Sequence, residues 1–515
     1  MRASVFLRAL LVMGSAVAAG LSTAGDWAFI SVPLALGCLI WNMGSRLLRN
    51  TAWLFCWLLV YFLFALGWMI WALQSPGEWT FAWSIPLMLI VFSLFAASYA
   101  VSYWGLGLLV KWLRPNFQPL DGKLTHCFML ATAFLTGDVM RVCLGLGSTW
   151  GSLGYSQTAN PWMSGMYALV GTPGVSALTV FWVGLLVAGL QSLLARTRTR
   201  GEGALAHTPP SFWLLALAAG LIGLCLLART WHWTHALDRP QPVRLVHTSL
   251  FEGQKYTPEA QAAAQGLLLD LAQRTDAVAT LYPELFLVHP AFEYPKDWRA
   301  EVMAAVKRSG NHQIVGAPDS LVSAQRVIQG ATNAMIHLGP EGSVRRRPKE
   351  SLIPFTEQTS ANAVIAWVYS LFSAYPNANF LPAGMGDTAP FEMPGFRLAA
   401  AICSEISDPM IVNARLLTAG TLLNASSESW IHSATLDGLI VQMLQARALE
   451  SQKPILRAGN GGFSGVVTER GHVLKTEALH TVVSVQTRTG ETPYARAMAW
   501  FYGAITPPAS DPLPR

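Results

Sequence analysis

Phe396-Arg-Leu-Ala-Ala-Ala-Ile402-Cys403-Ser404-Glu405 is a short apolar run that breaks directly onto a thiol and a carboxylate. Its first seven residues read as a β-strand, with the polar residues at the carboxyl end. The same kind of run recurs on either side. Val243-Arg-Leu-Val246, Ala277-Val-Ala-Thr-Leu281, Gln313-Ile-Val-Gly316, Ala334-Met-Ile-His-Leu338 and Thr421-Leu-Leu-Asn424 read as strands, and Thr257 to Gln273 as an amphipathic, alanine-rich helix. This alternation predicts a layered α/β domain. Periodicity leaves the strand order open.

Outward from this domain the composition changes. The chain of 515 residues is 52% hydrophobic and only 12% charged, about half the charged fraction of ordinary soluble proteins. The deficit lies in the first 230 residues or so, and the remainder resembles a globular protein. Seven apolar runs, near 5–24, 28–45, 52–73, 83–110, 125–147, 174–195 and 211–231, are long enough to span a bilayer and predict about seven transmembrane helices, each of which takes roughly 20 residues. The expected organisation is a multi-span α-helical membrane domain over 1–232, an α/β catalytic domain over 243–490, and a tail over 491–515 without a span. The first run is read as a retained span, with a cleaved signal peptide as the alternative.

The loops between the runs alternate in charge. Arg2 and Arg8 stand at the N-terminus, Asp26 in the next loop, then Arg46 and Arg49, then Glu78, then Lys111, Arg114 and Lys123. The stretch 148–173 has no lysine or arginine, and Arg196, Arg198 and Arg200 follow it. Every second loop is basic, which places the N-terminus in the cytoplasm and everything after 232 on the opposite side. In a bacterium that side is the periplasm, and the membrane the inner one. Arg229, near the outer end of the last run, is a mild exception. The formal charge of +6 is therefore a topology signal and gives no sign of a nucleic-acid partner. Asp138 and Arg141 fall inside the fifth run, three residues apart on one helix face, where they can pair.

Cys403 is the only one of six cysteines that lies in the polar half. A lone thiol there is a candidate nucleophile, though a free cysteine is more often a small buried hydrophobe. Two other polar residues stand out. Glu284 follows the strand 277–281, and Lys349 lies in Arg347-Pro-Lys349-Glu-Ser-Leu-Ile-Pro-Phe-Thr-Glu357. A carboxylate can take the thiol proton, and an ammonium can stabilise the oxyanion formed when the thiolate attacks a carbonyl. Base, cation and nucleophile together make an acyl-transfer site. Each has a plainer reading too: a helix cap for Glu284, one more member of the basic run 345–347 for Lys349, and burial for Cys403. There is no His-Glu-x-x-His zinc motif, no Gly-x-Ser-x-Gly elbow and no phosphate-binding glycine loop.

The words around these residues resemble the nitrilase (carbon–nitrogen hydrolase) superfamily, whose Glu-Lys-Cys triad falls in this order. Tyr282-Pro-Glu284 resembles its Trp-Pro-Glu, Lys349-Glu-Ser-Leu-Ile-Pro-Phe-Thr-Glu357 its Lys-x-x-Leu-x-Pro-Phe-Gly-Glu, and Ile402-Cys403-Ser-Glu405 its Ile-Cys-Tyr-Glu. Leu-Leu-Asn424, Gln-Ala-Arg447-Ala-Leu-Glu450 and Leu-Arg457-Ala-Gly-Asn460-Gly continue the match. The resemblance implies an α-β-β-α sandwich. With the membrane half in front, the whole chain resembles the apolipoprotein N-acyltransferase family. Trp150-Gly-Ser-Leu-Gly154-Tyr155-Ser156-Gln157 is similar to that family's Pro-Trp-x-x-x-Gly-Tyr-Ser-Gln loop, and Gln254-Lys255-Tyr256, more weakly, to its Lys-Trp pair.

That resemblance implies a thioacyl-enzyme mechanism with Glu284 as base, Lys349 as oxyanion stabiliser and Cys403 as nucleophile. The acyl donor would be a membrane phospholipid, and the acceptor the free amine of a diacylglyceryl-cysteine apolipoprotein. Glu357 and Glu405 match supporting carboxylates, Trp150 and Tyr155 are lipid-entry candidates, and no metal or organic cofactor is implied. Three departures bear on acceptor choice. The family has a final membrane span after the enzyme domain, and no run of that length follows residue 490 here. Its Asn-Asp-Ala-Trp-Phe segment reads Ser427-Glu428-Ser-Trp430-Ile431, and its tyrosine after the nucleophile is Ser404. The alternatives are a related membrane nitrilase, conjugal-transfer TraB-like, acting on another acceptor or as an amidase, and a non-enzymatic membrane scaffold.

Overall fold

The computed structural model describes residues 2–73, 81–113, 122–142, 149–199, 212–237, 239–251, 253–322, 328–353, 357, 389–431 and 433–505. Glu78, Arg114, Cys143, Arg200 and the Pro354-Phe355-Thr356 of the lysine motif lie outside these residues. The chain divides into two compact units. One takes in Met1–Ile70, Ile85–Trp231 and Ala434–Gln442, and the other Trp71–Ser84, His232–Ser433 and Met443–Arg515.

The first unit is helical, built from α1 (Arg2–Ser22), α2 (Ala28–Asn42), α3 (Leu47–Ala65), α4 (Trp68–Ala72), α5 (Phe81–Leu113), α6 (Lys123–Arg141), α7 (Tyr167–Thr199) and α8 (Phe212–Arg229). Each of the seven apolar runs overlaps one of these helices. The run 52–73 is divided, because the chain leaves helical pairing at Leu66 and resumes it at Trp68. In α7, Gly171 takes φ 61° and ψ −174°, a break that glycine tolerates because it has no Cβ. Five helical stretches, Val5–Ser22, Leu47–Ala65, Phe81–Leu113, Ser164–Ala195 and Phe212–Arg229, are long and apolar enough to cross a membrane. α2 is apolar but has 15 residues, and α6 carries Lys123, Asp138 and Arg141. Phe6, Leu34, Leu48, Leu109 and Phe212 point outward from this unit. Large apolar side chains on outer faces of such helices need lipid as their solvent, which makes this a multi-pass membrane protein.

The second unit contains two six-stranded sheets. The first has the order β13-β2-β3-β4-β5-β6 and the second β12-β11-β10-β9-β8-β7. The strands of the first sheet are β2 (Gln241–Val246), β3 (Ala279–Leu281), β4 (His312–Val322), β5 (Ile328–Leu338), β6 (Val344–Pro348) and β13 (His480–Val485). Those of the second are β7 (Phe391–Met393), β8 (Phe396–Ile402), β9 (Thr421–Ser427), β10 (Ile455–Asn460), β11 (Ser464–Val467) and β12 (Val473–Thr476). β1 (Thr234–Ala236) and β14 (Arg488–Gly490) form a separate pair.

Strand periodicity builds the layers. Phe396, Leu398, Ala400 and Ile402 of β8 join Leu423 and Ala425 of β9 in one buried cluster with Val243, Leu245, Ala279, Leu281 and Ile314 of the other sheet. That cluster is the core between the sheets, since alternate side chains of a strand share a face. On the outer face of the first sheet, α9 (Pro258–Ala272) and α10 (Lys296–Ser309) pack through Leu268, Leu271, Val302 and Val306 against Val246, Val315 and Ile336. Thr257 caps α9, its side chain accepting from the Ala260 amide. α11 (Pro409–Thr418) and α12 (Ala434–Ser451) follow strands of the second sheet. α13 (Pro493–Ile505) packs Tyr502 and Ala499 on Ile411 and Ala414 of α11. Helices and paired sheets give the α-β-β-α sandwich the resemblance implied. Central strands are covered on both faces, so β8 and β9 are almost wholly buried, with Arg397 the exposed exception.

Candidate active site

Cys403 is the first residue past β8 and has φ 50°. Among non-glycine residues this left-handed conformation is strained, and it persists where the surroundings over-determine it. Here the strand ends and a tight turn, Cys403–Ser407, begins at once. The Asn424 side chain on β9 donates to the carbonyl oxygens of Ala401 (3.1 Å) and Cys403 (3.2 Å). Asn424 is itself held by Arg457 of β10, whose Nη1 donates to Asn424 Oδ1 and whose Nη2 pairs with Glu428. Three adjacent parallel strands therefore fix the backbone that carries the thiol.

Glu284 and Lys349 come from the other sheet. Glu284, 5% exposed, follows β3. Its Oε1 accepts from Asn333 Nδ2 at 2.7 Å and from Lys349 Nζ at 3.5 Å, and its Oε2 accepts from the Ser427 backbone amide at 3.0 Å. Lys349, 1% exposed, follows β6, and its own amide donates to the Asn333 carbonyl at 2.7 Å. Its Nζ reaches Glu357 at 2.7 Å, and Glu357 Oε2 accepts from the Ile353 amide at 2.8 Å. Glu357 is thus a direct partner of the lysine. Glu405 is fully buried and joins two segments of backbone. It accepts from the amides of Ile402 (2.8 Å) and Glu350 (2.7 Å) and pairs with Arg415 at 2.9 Å. Arg415 also pairs with Glu350 at 2.9 Å. Glu405 therefore ties the cysteine turn to the lysine segment.

The electrostatics follow from this crowding. Burial raises the Cys403 thiol well above its ordinary value and Glu284 raises it further, with Lys349 acting in the opposite sense. The resting residue is a thiol and needs a base. Burial opposes the charge on Lys349, but Glu357, Glu284 and Cys403 outweigh it and hold the ammonium pKa above its usual value. Burial raises Glu357, against the pull of Lys349. Glu405 is lowered, because Arg415 and the backbone amides overcome its burial. A buried carboxylate, a buried ammonium and a half-buried thiol that feel one another's charge are the kinds of group that acyl transfer uses. Among the described residues there is no group of three or more His, Cys, Asp or Glu that could hold a metal ion.

Trp150 and Tyr155 lie in the first unit and are buried there, at 8% and 1% exposed. Tyr155 bonds the Thr149 hydroxyl, and the Trp150 carbonyl accepts from Arg141. Asp138 and Arg141 are 4.0 Å apart, with the Tyr99 hydroxyl bonded to both. Asn333 and the Ser427 amide escape sequence reading. Asn333 sits inside an ordinary strand, and a backbone amide has no sequence signature.

Comparison with known proteins places both halves. The family model of the apolipoprotein N-acyltransferase N-terminal domain matches residues 14–185, and that of carbon-nitrogen hydrolases matches 245–490. An apolipoprotein N-acyltransferase from Nitrosomonas europaea is 26% identical over 376 residues, 72% of this chain and 70% of that one. One from Chromobacterium violaceum is 25% identical over 500 residues, 95% and 91% of the two chains. A solved CN-hydrolase superfamily protein from Xanthomonas campestris is 15% identical, covering 52% of this chain and 96% of its own at a TM-score of 0.35. With a matching membrane half, a matching hydrolase half and relatives that align across both, the chain carries both domains of the apolipoprotein N-acyltransferases and is similar to them along most of its length.

Proposed function

We propose that the protein moves an acyl chain from a membrane phospholipid, through a thioester on Cys403, to the N-terminal amine of diacylglyceryl-cysteine apolipoproteins. The observation that carries this reading is the convergence of Glu284, Lys349 and Cys403, with Lys349 3.5 Å from Glu284 and its charge felt at the thiol.

In the first half-reaction Glu284 takes the Sγ proton as sulfur attacks the ester carbonyl. The C–S bond forms, and the Lys349 ammonium faces the oxyanion. Collapse breaks the C–O bond, and Glu284 returns the proton to the departing lysophospholipid alkoxide. In the second half-reaction the amine attacks the thioester, the C–N bond forms and the C–S bond breaks. Glu284 accepts the amine proton and passes it to sulfur. Glu357 holds Lys349 in place, and Glu405 holds the turn that bears the nucleophile. The reading for Trp150 and Tyr155 is narrower: they hold the 149–157 loop, and any part in lipid entry comes through the shape of that loop.

Both substrates carry acyl chains that cost about 0.8 kcal/mol per methylene to withdraw from lipid, which suits a hydrolase-type domain joined to membrane helices. The alternation of basic loops supports a bacterial inner-membrane location with the catalytic domain in the periplasm. The test is the intact mass of purified protein after incubation with phospholipid, beside Cys403→Ala. An added acyl mass, lost with hydroxylamine and absent from the variant, is expected. A folded parent protein with an alkylatable thiol and no adduct would overturn the phospholipid step.

A further inference from the structure

Glu428 is the position where the family pattern carries aspartate, and the mechanism above does not use it. It stands just past β9, whose Ala425 pairs with Ile402, the residue before the nucleophile. Its charge is close enough to Cys403 to raise the thiol. The side chain is 5% exposed. Its Oε1 accepts from Arg457 Nη2 and Ser426 Oγ. Its Oε2, buried beside the nucleophile's strand, has no hydrogen-bond partner among the described residues. A buried carboxylate oxygen calls for a donor.

We infer that Glu428 Oε2 receives an N–H of the incoming acceptor amine and orients that nitrogen for attack on the thioester, an assignment that rests on the acyl-transfer reading above. The chemistry of the two substrates selects the second. The donor's ester linkage carries no hydrogen-bond donor, whereas a primary amine carries two. Glu284 already has partners on both oxygens. It can take a proton from the nitrogen but has little capacity left to hold it. With one N–H on Glu428 and the other directed to Glu284, the lone pair is left for the carbonyl carbon. Glu428 gains and loses no proton: the C–N bond forms, the C–S bond breaks, and the proton travels through Glu284 to sulfur.

The experiment separates the half-reactions on the full chain in phosphatidylethanolamine-containing vesicles. Thioacylation is followed by intact mass, and single-turnover transfer is followed with a synthetic diacylglyceryl-cysteinyl peptide. Glu428→Gln keeps an oxygen for Arg457 and Ser426 but presents an amide donor to the amine. Transfer is expected to fall at least tenfold more than thioacylation, with thioacyl protein accumulating and the acceptor KM rising. Glu428→Asp, which keeps a carboxylate, restores most of the ratio. Equal losses in both half-reactions, or no loss, overturn the assignment, because a role confined to holding Arg457 would disturb Cys403 in both. An acceptor with an N-methylated α-amine has one N–H fewer and applies the same test to the unsubstituted protein, where equal transfer rates to the two acceptors overturn it. Absence of thioacyl protein in the parent would sink the underlying reaction instead.

Discussion

The buried charges of the helical unit and those around Cys403 are met in opposite ways. Asp138 has both oxygens occupied, one by Tyr99 and the other by Ser152 (2.6 Å) and Ser176 (2.7 Å). The Ser176 hydroxyl also receives the Gly154 amide at 2.8 Å, and Arg141 lies over the Phe95 ring at 4.1 Å. Gly154 fits because any Cβ there would come 2.3 Å from the Thr172 carbonyl. This cluster fixes the 149–157 loop and satisfies both Asp138 oxygens, although Arg141 Nε is buried without a hydrogen-bond partner among the described residues. Around Cys403, by contrast, a strained residue, a lysine shared between carboxylates and a half-partnered Glu428 leave capacity for a reacting group. The contrast lies in the carboxylates: Asp138 is saturated and builds structure, whereas Glu428 keeps an oxygen without a partner among the described residues.

Substitutions can break this contrast. The largest effect is expected at Cys403→Ala, which removes thioacylation entirely while leaving the melting temperature close to the parent's. Lys349→Met should lower thioacylation by about 10²–10³, the usual loss when one oxyanion-stabilising group is removed. Asp138→Asn should do the reverse. It leaves Arg141 buried with a weakened partner, and a broken buried pair costs about 3–5 kcal/mol. The measurement is thermal unfolding in detergent, with thioacylation per folded molecule little changed. A large fall in that rate without a stability loss would erase the distinction between the two regions.

A third region sharpens it. His312 and His337 stack in β4 and β5 with ring nitrogens 2.8 Å apart. Phe391 packs on His337, and the nearby charges are Glu341 and Arg345. Burial, with help from His312, lowers His337 from 6.5 to about 4. Between those values the unfolded chain binds a proton that the folded one refuses, so stability falls as the pH drops through that window. The expected loss is roughly 2–3 kcal/mol, and His337→Gln should flatten it in melts taken from pH 7 to 4. The smallest effect belongs to Tyr502→Phe. It removes the hydroxyl that donates to Glu350 at 2.6 Å, beside Lys349, and should cost about 1.5–3 kcal/mol.

Much of this was legible from residues. The strand 396–402 and the helix 257–273 survive folding as read, because Phe396, Leu398 and Ile402 of the one and Ala264, Leu268 and Leu271 of the other are buried. β10 to β14 were not read as strands. The run 455–460 is buried at every position although it contains Arg457 and Asn460, and its polarity makes sense only through partners on neighbouring strands. The helical break at Leu66 was missed because hydropathy does not register hydrogen bonding.

The amino-acid sequence alone determined the division into apolar and polar halves, the alternation of basic loops, and the order of Glu284, Lys349 and Cys403. These are properties of local composition and linear order. Tertiary structure alone decided that the Ser427 amide and Asn333 grip Glu284, that Asn424, held by Arg457, binds the Cys403 carbonyl, and that Glu428 Oε2 has no hydrogen-bond partner among the described residues. Those contacts join residues from 21 to 143 positions apart, through sheet register within each sheet and the packing of one sheet on the other. Register depends on which apolar faces pack together over the whole domain, and no local pattern encodes that.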